Sequence, residues 1–328
     1  MSEWEIFRDG GESHDEVPPH EGIAGVLGKP PPWRNFARSL DDRLGQTYRP
    51  GRQEVRMVNA ALHLRRPLLV TGPPGSGKSS LAYAVARQLQ LGPVLYWPIN
   101  SRSALTDGLY TYDALGRLRE AQLARFHGAA EPAEDVGRFI RLNALGTALY
   151  PKDRPRVLLI DEIDKSDIDL ANDLLNVLEE GEFQIPELMQ STAEEVRVFT
   201  ADVASTPDRV VVSGGRIRCR EFPFIILTSN GERELAPAFL RRCLRLEIDV
   251  PTPKRLEAIV RAHLGNDAVE PSSKLISEFL QQLATDQTTL SVDQLLSAAY
   301  LVTQGQIPND EDKKEVLAAV MQQLKRGG

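Results

Sequence analysis

Cysteine is almost missing from this 328-residue chain, with Cys219 and Cys243 the only two. Two thiols are too few for a disulfide framework and read as ordinary cysteines rather than a metal pair, which suits a reducing compartment. Long apolar runs are missing too. No stretch reaches the roughly 18 consecutive apolar residues that a membrane-spanning helix needs. The opening residues, Met1 to Glu5, lack the basic start and apolar block of a secretory leader. A cytoplasmic protein without membrane contact is the expectation. There is no excess of positive charge either: Lys+Arg 39 against Asp+Glu 46 gives −7. A broadly basic nucleic-acid binder is therefore disfavoured, although a local basic patch remains compatible with an acidic chain.

What is present is an ordinary globular composition, 41% hydrophobic and 26% charged, in a chain long enough for two or three domains. The charge is uneven. Residues 1–21 carry seven acids and one base, Arg8, which leaves the remainder near −1. With Pro18-Pro19 and Pro30-Pro31-Pro32 following, residues 1–34 read as an acidic, Pro/Gly-rich tail or linker. A docking peptide anchored by Trp4, Ile6 and Phe7 is the alternative, because aromatic side chains are costly to leave in water.

From Trp33 onward the pattern is that of a folded chain. Short apolar runs at 67–70, 94–97, 156–160, 224–227 and 244–250 read as buried strands. Helical patterns run between them, notably Ser79 to Leu91 with Leu81, Val85 and Leu89, and a helix through Leu170, Leu174, Leu175 and Leu178. Alternating strands and helices predict an α/β domain with a doubly wound parallel sheet over 35–250. Val210–Val212 and Arg216–Cys219 around Ser213-Gly214-Gly215 predict a hairpin. Beyond Pro251 four amphipathic helices are expected, at 254–264, 272–284, 292–303 and 311–324, so 251–328 reads as a small all-α lid. The stretch from Ser101 to Pro155 mixes loop and helix.

Gly72-Pro73-Pro74-Gly75-Ser76-Gly77-Lys78-Ser79 satisfies G-x-x-x-x-G-K-[ST], leaving a strand and opening a helix, with Ser80 next along that helix. The glycines let several N–H groups converge on one anion, and the helix N-terminus adds partial positive charge. In such a loop the lysine, Lys78, reaches the β- and γ-phosphates and the hydroxyl of Ser79 ligates Mg²⁺. Nucleotide binding follows; the identity of the base does not, since the loop touches phosphates only. Further on, Leu158-Leu159-Ile160 runs into Asp161-Glu162. An apolar strand ending in two acids supplies the other half of such a site. Asp161 would hold Mg²⁺ through water, and Glu162 would polarise the attacking water. Asp164 and Asp167 read as solvated or structural.

The phosphate loop, Asp161-Glu162 and a strand ending in Thr228-Ser229-Asn230 together resemble an AAA+ ATPase. The resemblance implies ATP and Mg²⁺, with Asn230 as the polar residue that orients the water. Pro237-Ala238-Phe239-Leu240-Arg241-Arg242-Cys243 is similar to the segment carrying the arginine finger, which places that finger at Arg242 with Arg241 the alternative and a surface salt bridge the plain reading. Phe139–Leu145, Asp161–Asp164 and Leu174–Phe183, followed by an insert and a hairpin, are similar to the MoxR family within this class. That resemblance spans about residues 52–253. It implies a homo-oligomeric ring, a hexamer, that remodels or activates a partner protein in a chaperone-like way. The partner in such bacterial multi-gene or defence systems is often a von Willebrand A-domain protein. One departure stands out: the third lid helix opens Leu290-Ser291-Val292-Asp293-Gln294 without the sensor-2 arginine.

Client contacts are expected from the 105–112 loop, with Leu109, Tyr110 and Tyr112, or from the insert at 183–209; core packing is the competing reading for the tyrosines. Arg216, Arg218 and Arg220 share one face of a strand and pair most simply with acids of a neighbouring subunit. Two further functions remain open. One is a nucleic-acid-directed NTPase subunit of a restriction-type complex. The other is a nucleotide-gated scaffold with little turnover.

Overall fold

The computed structural model describes residues 30–37, 39–126, 135–202, 209–249, 251–285, 291–304 and 310–321. The candidate docking peptide around Trp4 lies outside the described residues. Two compact units are present, and they do not divide the chain at two points. One holds the described residues of 50–72 and 78–248; the other holds the described residues of 30–49, the short piece Pro73–Gly77, and the described residues from Asp249 onward.

The larger unit is built on a parallel sheet whose central strands are continuous apolar runs, while the two edge strands expose alternate residues. Among the described residues β1 (Leu68–Thr71), β2 (Leu95–Pro98), β5 (Val157–Asp161), β10 (Phe224–Ser229) and β11 (Leu244–Glu247) form one parallel sheet in the order β11-β1-β10-β5-β2. Strands covered on both faces read as continuous apolar sequence. All six residues of β10 and the first four of β5 are buried. The five expected strands are these five, although β2 and β11 at the sheet edges are only partly buried. Because the strands are parallel, their C-terminal ends lie along one edge, where open α/β sheets place their ligands. The register sets Leu227 beside Ile160 and Pro98 beside Asp161, so polar residues following each apolar run meet at that edge.

A second sheet of six strands was only partly foreseen. It runs β3-β4-β7-β8-β9-β6, from Tyr110–Tyr112, Ile140–Leu142, Glu195–Phe199, Arg209–Ser213, Arg216–Arg218 and Glu182–Gln184 respectively. The hairpin around Gly214-Gly215 is β8 and β9 within it. Leu109, Ile140, Leu142, Phe183, Val198 and Ile217 bury their side chains in the same hydrophobic core as the parallel sheet.

The smaller unit packs helices Pro253–Leu264, Ser273–Thr285, Val292–Gln304 and Asp310–Val320, close to the four expected. Leu256, Val260, Phe279, Leu295 and Ala298 form its centre. Trp33 stands edge-on to His263 and Tyr300 against this cluster, so the first described residues belong with the helices. Among the described residues no helix is long and apolar enough to cross a membrane.

Candidate functional site

The helix Lys78–Gln88 begins at the lysine of the phosphate loop. Lys78 is buried, and its Nζ donates to the Gly72 carbonyl at 2.8 Å. Burial lowers its pKa, opposed by the negative charges of Asp161, Asp164 and Glu162. The loop residues between Gly72 and Lys78 are tightly shaped. Gly75 has φ +70 and Gly77 φ +88, a region that L side chains rarely enter. A Cβ on Gly75 would fall 2.5 Å from the Ser291 Cβ, and one on Gly77 3.0 Å from the Tyr48 ring. The Ser76 hydroxyl is buried without a hydrogen-bond partner among the described residues.

Asp161 ends β5 and is the hub of the acidic edge. Its Oδ1 accepts from Ser79 Oγ at 2.7 Å and from Thr228 Oγ1 at 2.6 Å, while Oδ2 accepts from the Tyr96 hydroxyl at 3.3 Å. Burial and then the neighbouring Asp161 push the Tyr96 pKa up to about 12. Ser79 and Asp161, the two expected Mg²⁺ ligands, are thus already side by side. Both offer hard oxygen atoms, which suit Mg²⁺. Among the described residues no cluster of three or more His, Cys, Asp or Glu could hold a metal alone. The donor set fits a cation that is shared with phosphate oxygens and water, as Mg²⁺ at nucleotide sites is.

Glu162 follows in the left-handed conformation, φ 61 and ψ 47. For a residue with a Cβ this costs about 1–2 kcal/mol, and such strain gathers at functional positions where the surroundings enforce it. Its Oε2 accepts from Lys165 Nζ at 2.7 Å and its Oε1 lies 3.4 Å from Asn230 Nδ2. Hydrogen bonding to Glu162 raises the Lys165 pKa. Asn230 thus lies beside Glu162. Asp164 turns out to be structural: it is 1% exposed, and Oδ2 accepts from the backbone N–H of Asn230 and Glu232 at 3.1 and 2.9 Å. Asp167 is exposed.

Arg241 and Arg242 end the helix Pro237–Arg242 and are both exposed. The Arg242 guanidinium bonds Glu179 and the Ala238 carbonyl, which is the salt bridge of the plain reading. The Arg241 guanidinium makes no hydrogen bond or ion pair among the described residues; only its carbonyl is engaged, by Arg66.

Other expected contacts resolve into internal packing. Leu109 is buried, the Tyr110 hydroxyl donates to Glu187 Oε2 at 2.9 Å, and the Tyr112 hydroxyl accepts from Arg117 at 3.1 Å. Tyr110 and Tyr112 pack on the core, so core packing holds for them. Arg218 pairs with Glu182 at 3.8 Å and Arg220 with Asp153, both acids of its own chain. Cys219 and Cys243 are free, and burial raises both thiols, Cys243 to about 12. In the lid, Ser291 and Gln294 cap their own helix, and no arginine stands there.

Thr228 and Tyr96 are the site residues that sequence reasoning missed. Only the register of β10 and β2 against β5 would have pointed to them.

A parallel sheet with a phosphate loop after its first strand and paired acids after β5 defines a P-loop nucleotide-binding protein. Residues 67–243 match the AAA domain of the dynein-related subfamily, and the chain belongs to that family. Domains of this family are nucleotide-hydrolysing ATPases in general and typically bind Mg²⁺ with the nucleotide. No curated protein matches the chain.

Proposed function

We propose that this protein is an ATP-hydrolysing AAA ATPase of the MoxR type, which assembles into a ring and uses turnover to remodel or activate a partner protein. The observation that carries the hydrolytic part is the grouping of Ser79, Asp161, Glu162 and Asn230 at one sheet edge. On this reading Lys78 and the loop hold the phosphates. Ser79 and Asp161 hold Mg²⁺, which when bound screens the charge of the β- and γ-phosphates. Glu162 accepts the proton of the attacking water, and Asn230 orients that carboxylate and the water.

The ring is supported by the exposed arginine pair. A cation that serves phosphoryl transfer must reach the γ-phosphate, where it stabilises redistributed charge. Neither Arg241 nor Arg242 bonds to Asp161, Glu162 or Asp164 of its own chain. Arg241, with its guanidinium uncommitted, is the better candidate to act on another copy. The partner protein, a hexameric ring size and a role in a multi-gene or defence system rest on the MoxR resemblance alone.

The test is a pair of variants read by separate assays. Lys78→Ala abolishes nucleotide binding, whereas Glu162→Gln binds ATP and does not turn it over. Wild-type hydrolysis by Glu162→Gln would assign the proton transfer to another group.

A further inference from the structure

Glu162 holds a strained backbone conformation, and the residue that fixes it is on a different strand. Thr228 lies at the C-terminal end of β10, 1% exposed. The register pairs Leu227 with Ile160, so the next residues, Thr228 and Asp161, fall side by side. Its Oγ1 donates to Asp161 Oδ1 at 2.6 Å and accepts from the Glu162 N–H at 2.9 Å. The direction of both bonds is dictated by chemistry. An ionised carboxylate only accepts and a backbone N–H only donates, so the single hydroxyl proton must go to Asp161. A β-branched side chain has few χ1 choices in a strand, which keeps the hydroxyl aimed at this point.

We propose that Thr228 is a positioning residue for hydrolysis: its hydroxyl locks the backbone of Glu162 to the carboxylate of Asp161. The inference rests on the hydrolytic reading of Glu162 given above. One hydroxyl thereby couples the residue that would hold the metal to the residue that would activate water. Two residues further along the same strand end, Asn230 is fixed through Asp164, so β10 sets both partners of the water. Without the hydroxyl, the Glu162 amide loses its anchor and the left-handed turn can relax. The carboxylate then leaves its place even though every phosphate-binding group remains. Misplacement of a reacting group by about 1 Å costs on the order of 10²-fold in rate.

Two readouts on the full chain test this. In steady-state hydrolysis, Thr228→Val lowers kcat by roughly 10- to 100-fold while KM stays within about threefold, and Thr228→Ser, which keeps the hydroxyl, returns kcat to near the wild-type value. In backbone amide exchange, the Glu162 N–H exchanges about tenfold faster in Thr228→Val and at the wild-type rate in Thr228→Ser. Unchanged protection at Leu158 in the same samples reports an intact sheet. Thr228→Val turning over like wild type, or Thr228→Ser falling as far as Thr228→Val, overturns the proposal and leaves the hydrolytic reading standing. No turnover in the wild type at any protein concentration overturns the hydrolytic reading instead. Amide exchange then decides whether the lock exists: unaltered exchange at Glu162 in Thr228→Val removes it.

Discussion

The acidic edge of the parallel sheet and the arginine end of the helix at 237–242 are charged regions of one unit, assembled on opposite plans. At the acidic edge each carboxylate is held by its own chain. Asp161 has Ser79, Thr228 and Tyr96; Glu162 has Lys165 and Asn230; Asp164 has two backbone N–H groups. Groups that must present a fixed geometry to a substrate are expected to be supported in this way. At the arginine end both side chains are exposed, and the Arg241 guanidinium has no partner among the described residues. A cross-braced carboxylate set is held by its own chain, with Asp164 buried and Asp161 and Glu162 partly buried. An exposed guanidinium with no bond to it belongs to a different encounter, which we have proposed to be with another copy of the chain.

Variants break that comparison in a graded order. The largest effect falls on the acidic edge: Glu162→Gln lowers kcat by about 10²- to 10⁴-fold, the range of a lost acid–base group, with ATP affinity kept in an equilibrium binding assay. Next comes Arg241→Ala. A cation acting on the transferring phosphoryl group is worth on the order of 10³-fold or more in kcat, so Arg241→Ala subunits are nearly silent yet bind ATP. Mixing them with Lys78→Ala subunits restores part of the turnover, because some sites then combine an intact loop with an intact arginine; mixtures that stay silent exclude action across subunits. Arg242→Ala loses much less, since its guanidinium is already committed to Glu179. The smallest effect is that of Glu179→Ala. Both partners of this ion pair are about half exposed, and exposed pairs contribute little. The melting temperature and kcat stay at wild-type values, and a marked gain in turnover would instead show that Glu179 restrains Arg242.

The same contrast explains what could be read from sequence. Gly72–Ser79 and Asp161-Glu162 were legible because phosphate and metal chemistry restricts both residue type and order, and because each follows a long apolar run. The parallel sheet was legible for a related reason: strands buried on both faces announce themselves as unbroken apolar segments. Thr228 was not, because a threonine in a strand has many uses and its role comes from lying beside Asp161 across the sheet. Arg241 and Arg242 are adjacent and alike, and only the position of Glu179 on another helix separates them. The second sheet escaped because Tyr110–Tyr112, Ile140–Leu142 and Glu182–Gln184 are three residues each, too short for any periodicity to register. Its tyrosines looked like loop residues free to meet a client, whereas Glu187 and Arg117 hold them in place.

The account turns on the completed acidic edge needing a cation from elsewhere. Its most direct test is ATP hydrolysis measured across protein concentration, with the oligomer distribution taken from the same samples. Specific activity that climbs steeply as assemblies form is the predicted result. Specific activity that is already maximal in samples holding only single subunits would contradict it, and would place the whole site within one chain.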